Sequence, residues 1–168
     1  PNITANTVSM SGYASHAIYL HTVLTGVVAD NTVLHTADQG RGITLYSSDR
    51  INITNNFLNT TGDTGWAIYL YYSDDANITD NKVVTTGLGA YFYQASNALN
   101  AYRSNDIFMR DNEFNATYAP ALMIRDYVGH DIDLSNTGFG LPIWYNESLS
   151  SVTVLQDQDI TGVYRDIL

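Results

Sequence analysis

Residues 49–64 read DRINITNNFLNTTGDT, and residues 74–89 read DDANITDNKVVTTGLG. The same frame returns almost intact: NIT-x-N, an apolar residue, then Thr and Gly. Anchored on the Asn before the apolar position, the series is Asn6, Asn31, Asn56, Asn81, Asn112 and Asn136, at spacings of 25, 25, 25, 31 and 24. A second anchor is the strand-like AIYL at 17–20, which recurs as GITL at 42–45 and AIYL at 67–70, and more loosely at 121–124 and 141–145. A third is the turn Ser47-Ser48-Asp49, then Tyr72-Ser73-Asp74, then Arg103-Ser104-Asn105. A unit this short cannot bury an apolar face alone, but stacked units can.

Within each unit the period is two. Ile51, Ile53 and Ile78 share one face with polar residues between them, as strands do. Clusters of Gly, Asn, Asp, Ser and Thr separate the segments and supply turns. The expected fold is all-β, a solenoid of six to seven coils of ~25 residues, with neighbouring coils ~4.8 Å apart. Residues 1–140 are assigned to the solenoid and 141–168 to irregular final coils or a C-terminal cap.

Composition agrees and narrows the partners. Tyr (13) and Gly (12) are abundant and charged residues are only 14% of the chain, a mix that suits strands and turns better than exposed helices. The net charge is −10, so nucleic acid is an unsuitable partner, and anionic polysaccharide is disfavoured for the same reason unless a local basic cleft overrides it. No Cys is present, which removes disulfides, thiolate metal sites and a Cys nucleophile. No apolar run is long enough to span a bilayer. The chain opens at Pro1 with Asn2-Ile3-Thr4 already in mid-register. The expectation is an excised piece of a longer solenoid, or a coil edge that another copy extends.

The segments NITNNFLNTTG (52–62) and NITDNKVVTTG (77–87) resemble the right-handed parallel β-helix family with short NosD-like repeats. That resemblance implies a single-stranded right-handed parallel β-helix. It also implies a ladder of stacked turn asparagines, carried here by Asn6, Asn31, Asn56, Asn81 and Asn112. Asn136 departs from the frame, because Gly138 stands where the apolar residue should be.

Two features break the repeat. About six extra residues enlarge coil four, and the stretch 89–106 carries Tyr91, Phe92, Tyr93, Gln94, Tyr102 and Arg103. Insertions in a solenoid emerge as loops on one face, often the binding face. Aligned through the Ser-x-Asp turn, His21, Tyr46, Tyr71, Tyr102 and Tyr127 form an aromatic column, with Tyr19 and Tyr69 beside it. Such a column is either a surface for stacking sugar rings or a self-stacking ladder that stiffens the rod. The ligand-binding candidates are therefore Tyr46, Tyr71, Tyr91, Tyr93, Tyr102, Arg103 and Tyr127.

Catalytic candidates are sparse. Asp74-Asp75 resembles the paired acids of polygalacturonase-type hydrolases, and Gly129-His130-Asp131 their Gly-His-Gly. Together with Asp49 they support an alternative reading as a carbohydrate-active lyase, hydrolase or epimerase. Against it, Asp74 and His130 repeat the turn position of Asp49, and the partner motifs Asn-Thr-Asp, Arg-Ile-Lys and Asp-Pro-His are absent. Arg50, Arg103 and Arg125 fall near the turn column. His16, His21 and His35 have no compact ligand spacing, so neither a metal nor a cofactor is expected. Sequons occur at Asn2, Asn52, Asn59, Asn77, Asn115 and Asn146, three of them the NIT of the repeat itself. The resulting expectation is a non-enzymatic extracellular or cell-envelope β-helix. Its partners are surface glycans or further copies of itself.

Overall fold

The computed structural model describes residues 1–88, 96–125 and 129–143, and the backbone of 163–165. Each coil contributes three strands. Coil one carries β1 (Asn2–Thr4), β2 (Thr7–Met10) and β3 (His16–His21). Coil two carries β4 (Gly26–Ala29), β5 (Thr32–His35) and β6 (Arg41–Tyr46). Coil three carries β7 (Ile51–Thr54), β8 (Phe57–Thr60) and β9 (Trp66–Tyr71). Coil four carries β10 (Asn77–Thr79), β11 (Lys82–Thr85) and β12 (Leu99–Tyr102), and coil five β13 (Phe108–Arg110), β14 (Glu113–Ala116) and β15 (Leu122–Arg125). Four short strands follow: β16 (Asp131–Ile132), β17 (Thr137–Gly138), β18 (Leu141–Pro142) and β19 (Val163–Arg165).

The first strand of every coil joins sheet A, the second sheet B and the third sheet C. Pairing is parallel throughout except where β18 turns back on β17. The result is an all-β parallel solenoid of about five turns, fewer than the six to seven that the repeat count implied, with no helix among the described residues. β19 returns beside β15 in sheet C.

The core is built by columns. On sheet A, Ile3, Val28, Ile53, Ile78, Met109 and Ile132 stand in register, one per coil. Sheet C lends two such columns: Ile43, Ile68, Leu99 and Leu122, and Leu45, Leu70, Ala101 and Ile124. All are buried except the end residue Ile3.

Polar columns hold the corners. Asn31 Nδ2 and its backbone N–H both donate to Asn56 Oδ1 at 3.0 Å. Asn56 makes the same pair of bonds to Asn81, and Asn81 to Asn112. Each Nδ2 also donates to the carbonyl two residues earlier, so the amides are satisfied within the stack. Asn136 joins the row, accepting from Asn112 Nδ2 at 2.8 Å despite Gly138. A second row is made of serines: the backbone N–H of Ser48 donates to Ser73 Oγ, and that of Ser73 to Ser104 Oγ.

The corners demand left-handed backbone at non-glycine residues. Positive φ recurs at Ala5, Asp30, Asn55, Asp80 and Asp111, at Thr22, Ser47, Tyr72 and Arg103, at Arg50, Asp75 and Asp106, and at Ala14, Gln39 and Thr64. Nearly all of their N–H groups donate to the next coil, as Asp30 does to Thr54 O and Asp111 to Ser135 Oγ. That inter-coil bond offsets a cost of roughly 1–2 kcal/mol per residue for this conformation.

Candidate functional site

The outer face of sheet C is chemically unlike the rest of the molecule. Three outward columns cross it. The first is His16, Arg41 and Trp66. The second is Tyr19, Thr44, Tyr69, Asn100 and Met123, and the third His21, Tyr46, Tyr71, Tyr102 and Arg125. No Asp or Glu occurs in β3, β6, β9, β12 or β15.

The rings form a lattice. Along the third column the centroids are 5.0 Å apart for His21–Tyr46, 4.8 Å for Tyr46–Tyr71 and 5.5 Å for Tyr71–Tyr102. Trp66 and Tyr69 lie 4.6 Å apart, and Tyr69 is 6.1 Å from Tyr71, linking the columns. Guanidinium groups lie on these rings. Arg41 sits 4.8 Å from the Trp66 ring and 4.6 Å from that of Tyr69; Arg125 is 4.8 Å from Tyr102 and Arg103 5.0 Å. Such contacts contribute about 0.5–2 kcal/mol each. Beside Arg41 a cavity of about 220 Å³ opens, lined by Gln39, Arg41, Thr64 and Trp66.

Burial tunes several of these groups. It pulls the Arg41 guanidinium below its ordinary pKa, while Tyr69 and Tyr19 oppose the shift. It pushes the Tyr69 phenol up, against the pull of Arg41 and Arg125.

The sequence-selected residues divide. Tyr46, Tyr71, Tyr102 and Arg103 come together here. Tyr91, Tyr93 and Tyr127 lie outside the described residues, but the residue opposite Tyr102 is Arg125, so the Ser-x-Asp alignment that put Tyr127 there is corrected. Arg41 and Trp66 also lie on this face and were not among the candidates. They stand five positions before Tyr46 and Tyr71, which strict alternation assigns to the opposite face. Between them the register skips Gly42 and Ala67. A Cβ on Gly42 would point at the core residue Leu58, so Gly42 and Ile43 both face inward and the alternation resets.

Asp49 and Asp74 occupy the corner after sheet C as acceptors for backbone. Asp49 Oδ1 takes the N–H of Asp74 at 3.0 Å, and Asp74 Oδ1 takes that of Asn105 at 2.7 Å. Asp75 sits at φ 56°, its N–H donated to Asn105 O, and His130 Nδ1 accepts from the Ile107 N–H at 3.3 Å. Among the sequons, Asn2 and Asn52 are exposed, Asn59, Asn77 and Asn115 half-buried, and Asn146 outside the described residues. Asn115 is tied at both ends, donating to Glu113 and accepting from the Phe139 N–H.

A model of the family described as periplasmic copper-binding protein (NosD) matches residues 1–127, three-quarters of the chain. The chain belongs to the NosD family. No curated protein and no solved structure matches it. NosD proteins are described as periplasmic, in agreement with a coarse envelope or extracellular setting.

Copper, the metal in the NosD description, does not fit these residues. No three His, Cys, Asp or Glu side chains converge among the described residues. His16 Nδ1 is bound to Thr44 Oγ1 at 2.7 Å, and His35 Nε2 to Ser15 Oγ at 2.9 Å. The buried His35 Nδ1 has no partner, but it abuts Gly40 so closely that a Cβ there would lie 2.1 Å away, leaving no room for an ion. The same contact bears on the Ser15–His35 pair. With no acceptor near Nδ1, the proton is best placed on Nε2, where it is donated to Ser15. Ser15 in turn donates to Gly12 O at 2.6 Å. His35 is then a donor to the hydroxyl, and Ser15 is not an activated nucleophile.

These histidines give the fold a pH dependence. Burial lowers the pKa of His35, opposed by a hydrogen bond to the Ser15 backbone, and lowers that of His16, assisted by Arg41 and His35. Above the ordinary value of 6.5 both are neutral in folded and unfolded chains and contribute no slope. As pH falls below it, the unfolded chain takes up protons that the folded chain refuses, and stability declines. The melting temperature should therefore drop as the pH falls from about 6.5 to about 5.5, above the range where carboxylates titrate. His35→Thr, matching Thr60 and Thr85 in its column, should remove much of that slope. An unchanged slope would refute the assignment.

Proposed function

We propose that this chain is a non-enzymatic β-helix of the cell envelope that contacts surface glycans through the outer face of sheet C. The observation that carries this reading is the ring lattice from His21 through Tyr46 and Tyr71 to Tyr102, spread over four consecutive coils. Flat rings with polar tips match the faces of pyranose sugars, and a rigid sheet holds them with little entropy to lose on binding. The engagement of Asp49 and Asp74 by backbone supports a binding role over a catalytic one. Self-assembly is the other use of such a rod, end to end through its coil edges or laterally, and lateral contact would bury the same lattice.

The test combines a broad polysaccharide panel, product analysis and light scattering on the pure chain. Binding without cleavage is expected, together with roughly tenfold weakening in Tyr46→Ala and Tyr71→Ala, the effect of ~1.4 kcal/mol per ring. Cleavage of any polysaccharide would overturn the non-enzymatic reading. Filaments with no glycan binding would transfer the lattice to a subunit contact.

A further inference from the structure

The charge layout of the solenoid says more about the ligand than its rings do. With a net charge of −10, the molecule repels anions at long range. Its carboxylates nevertheless leave sheet C bare. Away from that face, two cations are matched by the chain's own acids: Lys82 Nζ lies 3.0 Å from Glu113, and Arg110 reaches Asp131 at 2.7 Å and Asp133 at 2.8 Å, while Arg50 Nε donates to Leu24 O at 3.3 Å. On the face, Arg41 makes no ion pair among the described residues; it lies over the rings of Trp66 and Tyr69 beside the cavity. Arg125 donates one terminal nitrogen to Asn100 Oδ1 at 3.3 Å, and its buried Nε has no hydrogen-bond partner.

Ring faces offset part of the desolvation of these guanidinium groups but do not neutralise their charge. A guanidinium stacked on rings is also held flat, with N–H groups left for a carboxylate that approaches edge-on. Arg41 and Arg125 stand at opposite corners of the ring lattice, three coils apart along the axis, or ~14 Å. A sugar chain that bears carboxylates can meet both guanidinium groups at once across that distance, with rings left over to stack on the face. Nucleic acid calls for a broadly basic surface, which a molecule this acidic does not offer.

We propose that the outer face of sheet C binds an acidic, uronate-bearing polysaccharide, its carboxylates taken by Arg41 and Arg125 and its sugar rings by Tyr46, Tyr71 and Tyr102. This rests on the glycan-contact reading above and specifies its ligand class.

The experiment titrates the full chain with a long oligogalacturonate and with the same oligomer after its carboxyls are reduced to alcohols. The acidic oligomer should bind at least tenfold more tightly at low salt, and the difference should shrink as sodium chloride is raised. Arg41→Gln and Arg125→Gln should each weaken the acidic oligomer about tenfold and the neutral one much less, narrowing the preference, whereas Tyr71→Ala should weaken both alike. Wild-type melting temperatures in the Arg variants establish that the fold is intact. Equal affinity for the two oligomers, or Arg variants that keep the preference, would overturn the acidic ligand class and leave glycan contact standing. No binding to either oligomer or to any member of the polysaccharide panel would overturn both. Tighter binding of a single-stranded DNA of similar length would reassign the face to nucleic acid.

Discussion

Asn56→Ala should cost about 4 kcal/mol of folding stability, an order-of-magnitude figure summed from orphaned buried groups. Asn56 Oδ1 accepts both the backbone N–H and the Nδ2 of Asn31, and its own Nδ2 donates to Val28 O, Thr54 O and Asn81 Oδ1. Truncation leaves the Asn31 N–H, itself buried, with no acceptor, at ~1–3 kcal/mol, and removes several further bonds and a buried side chain. For a domain of this size the melting temperature should fall by about 10 °C. Asn56→Asp should be worse, because it keeps the acceptor but sets a carboxylate against Val28 O, Thr54 O and Asn81 Oδ1. The control is Asn6→Ala at the exposed end of the row, where no donor reaches the Asn6 oxygen among the described residues. Its cost should stay under about 1 kcal/mol. Equal losses at Asn6 and Asn56 would mean that the row is not cooperative and that each Asn acts only within its own turn.

The coil period was legible because two physical demands fall on the same residues. A turn Asn that must meet its neighbour above and below cannot drift, so Asn31, Asn56 and Asn81 keep a strict spacing of 25. The inner columns repeat with it, since Ile53 and Ile78 must stack. Other features left no such mark. Thr22, Thr64, Tyr72 and Arg50 adopt positive φ, yet they are residue types for which local preference gives no warning. Only the inter-coil hydrogen bonds enforce that conformation, and they exist only once the coils stack. The number of turns was overread because the late cognate at 141–145 was counted as a further coil, whereas Leu141 begins a strand that reverses direction.

The candidate site was half legible. Tyr46 and Tyr71 repeat at the coil period, so the column announces itself. Arg125 was harder, because two alignments of coil five disagree by two residues. The strand anchor, which equates Ala121–Ile124 with the earlier AIYL, leads to Arg125 opposite Tyr102; the turn anchor leads to Tyr127. The structure sides with the strand, at an offset of 23 residues between Asn100 and Met123. Packing of the inner column fixes the strand, whereas the turn that follows can vary in length. Arg41 and Trp66 were hidden by the register skip at Gly42 and Ala67. A small residue at both places was the available sign, since a change of facing in mid-strand is easiest where no large side chain must be redirected.

Gly62→Ala should be as damaging as the loss of the buried amide, for a reason of space alone. Gly62 has no positive φ, so the backbone does not require glycine. A Cβ there would lie 1.9 Å from Ala37 O and 2.7 Å from the Asp38 nitrogen, backbone atoms of the coil below. Gly87 repeats the arrangement over Gly62 O at 1.9 Å. Ala37 occupies the same corner one coil earlier, so the turn itself admits a side chain and the stack above it does not. Relief requires coils two and three to separate at this corner, where Thr61 N–H bonds His35 O at 2.9 Å and Gln39 N–H bonds Asp63 O at 2.8 Å. Overpacking combined with stretched inter-coil bonds should cost about 3 kcal/mol or more. Gly12→Ala is the matched control, because its nearest obstacle is the Ser15 hydroxyl at 3.2 Å, which can move; its effect should be within about 0.5 kcal/mol. The corner at Gly62 leads directly into β9, whose Tyr71 stacks on Tyr46 at 4.8 Å. A Gly62→Ala chain that still folds should therefore hold those rings further apart and, on the glycan contact proposed above, bind glycan less tightly than wild type, although no residue of that face has changed. Wild-type stability in Gly62→Ala would show that the coils can rise without cost, and the fixed ring spacing on sheet C would then lose its structural basis.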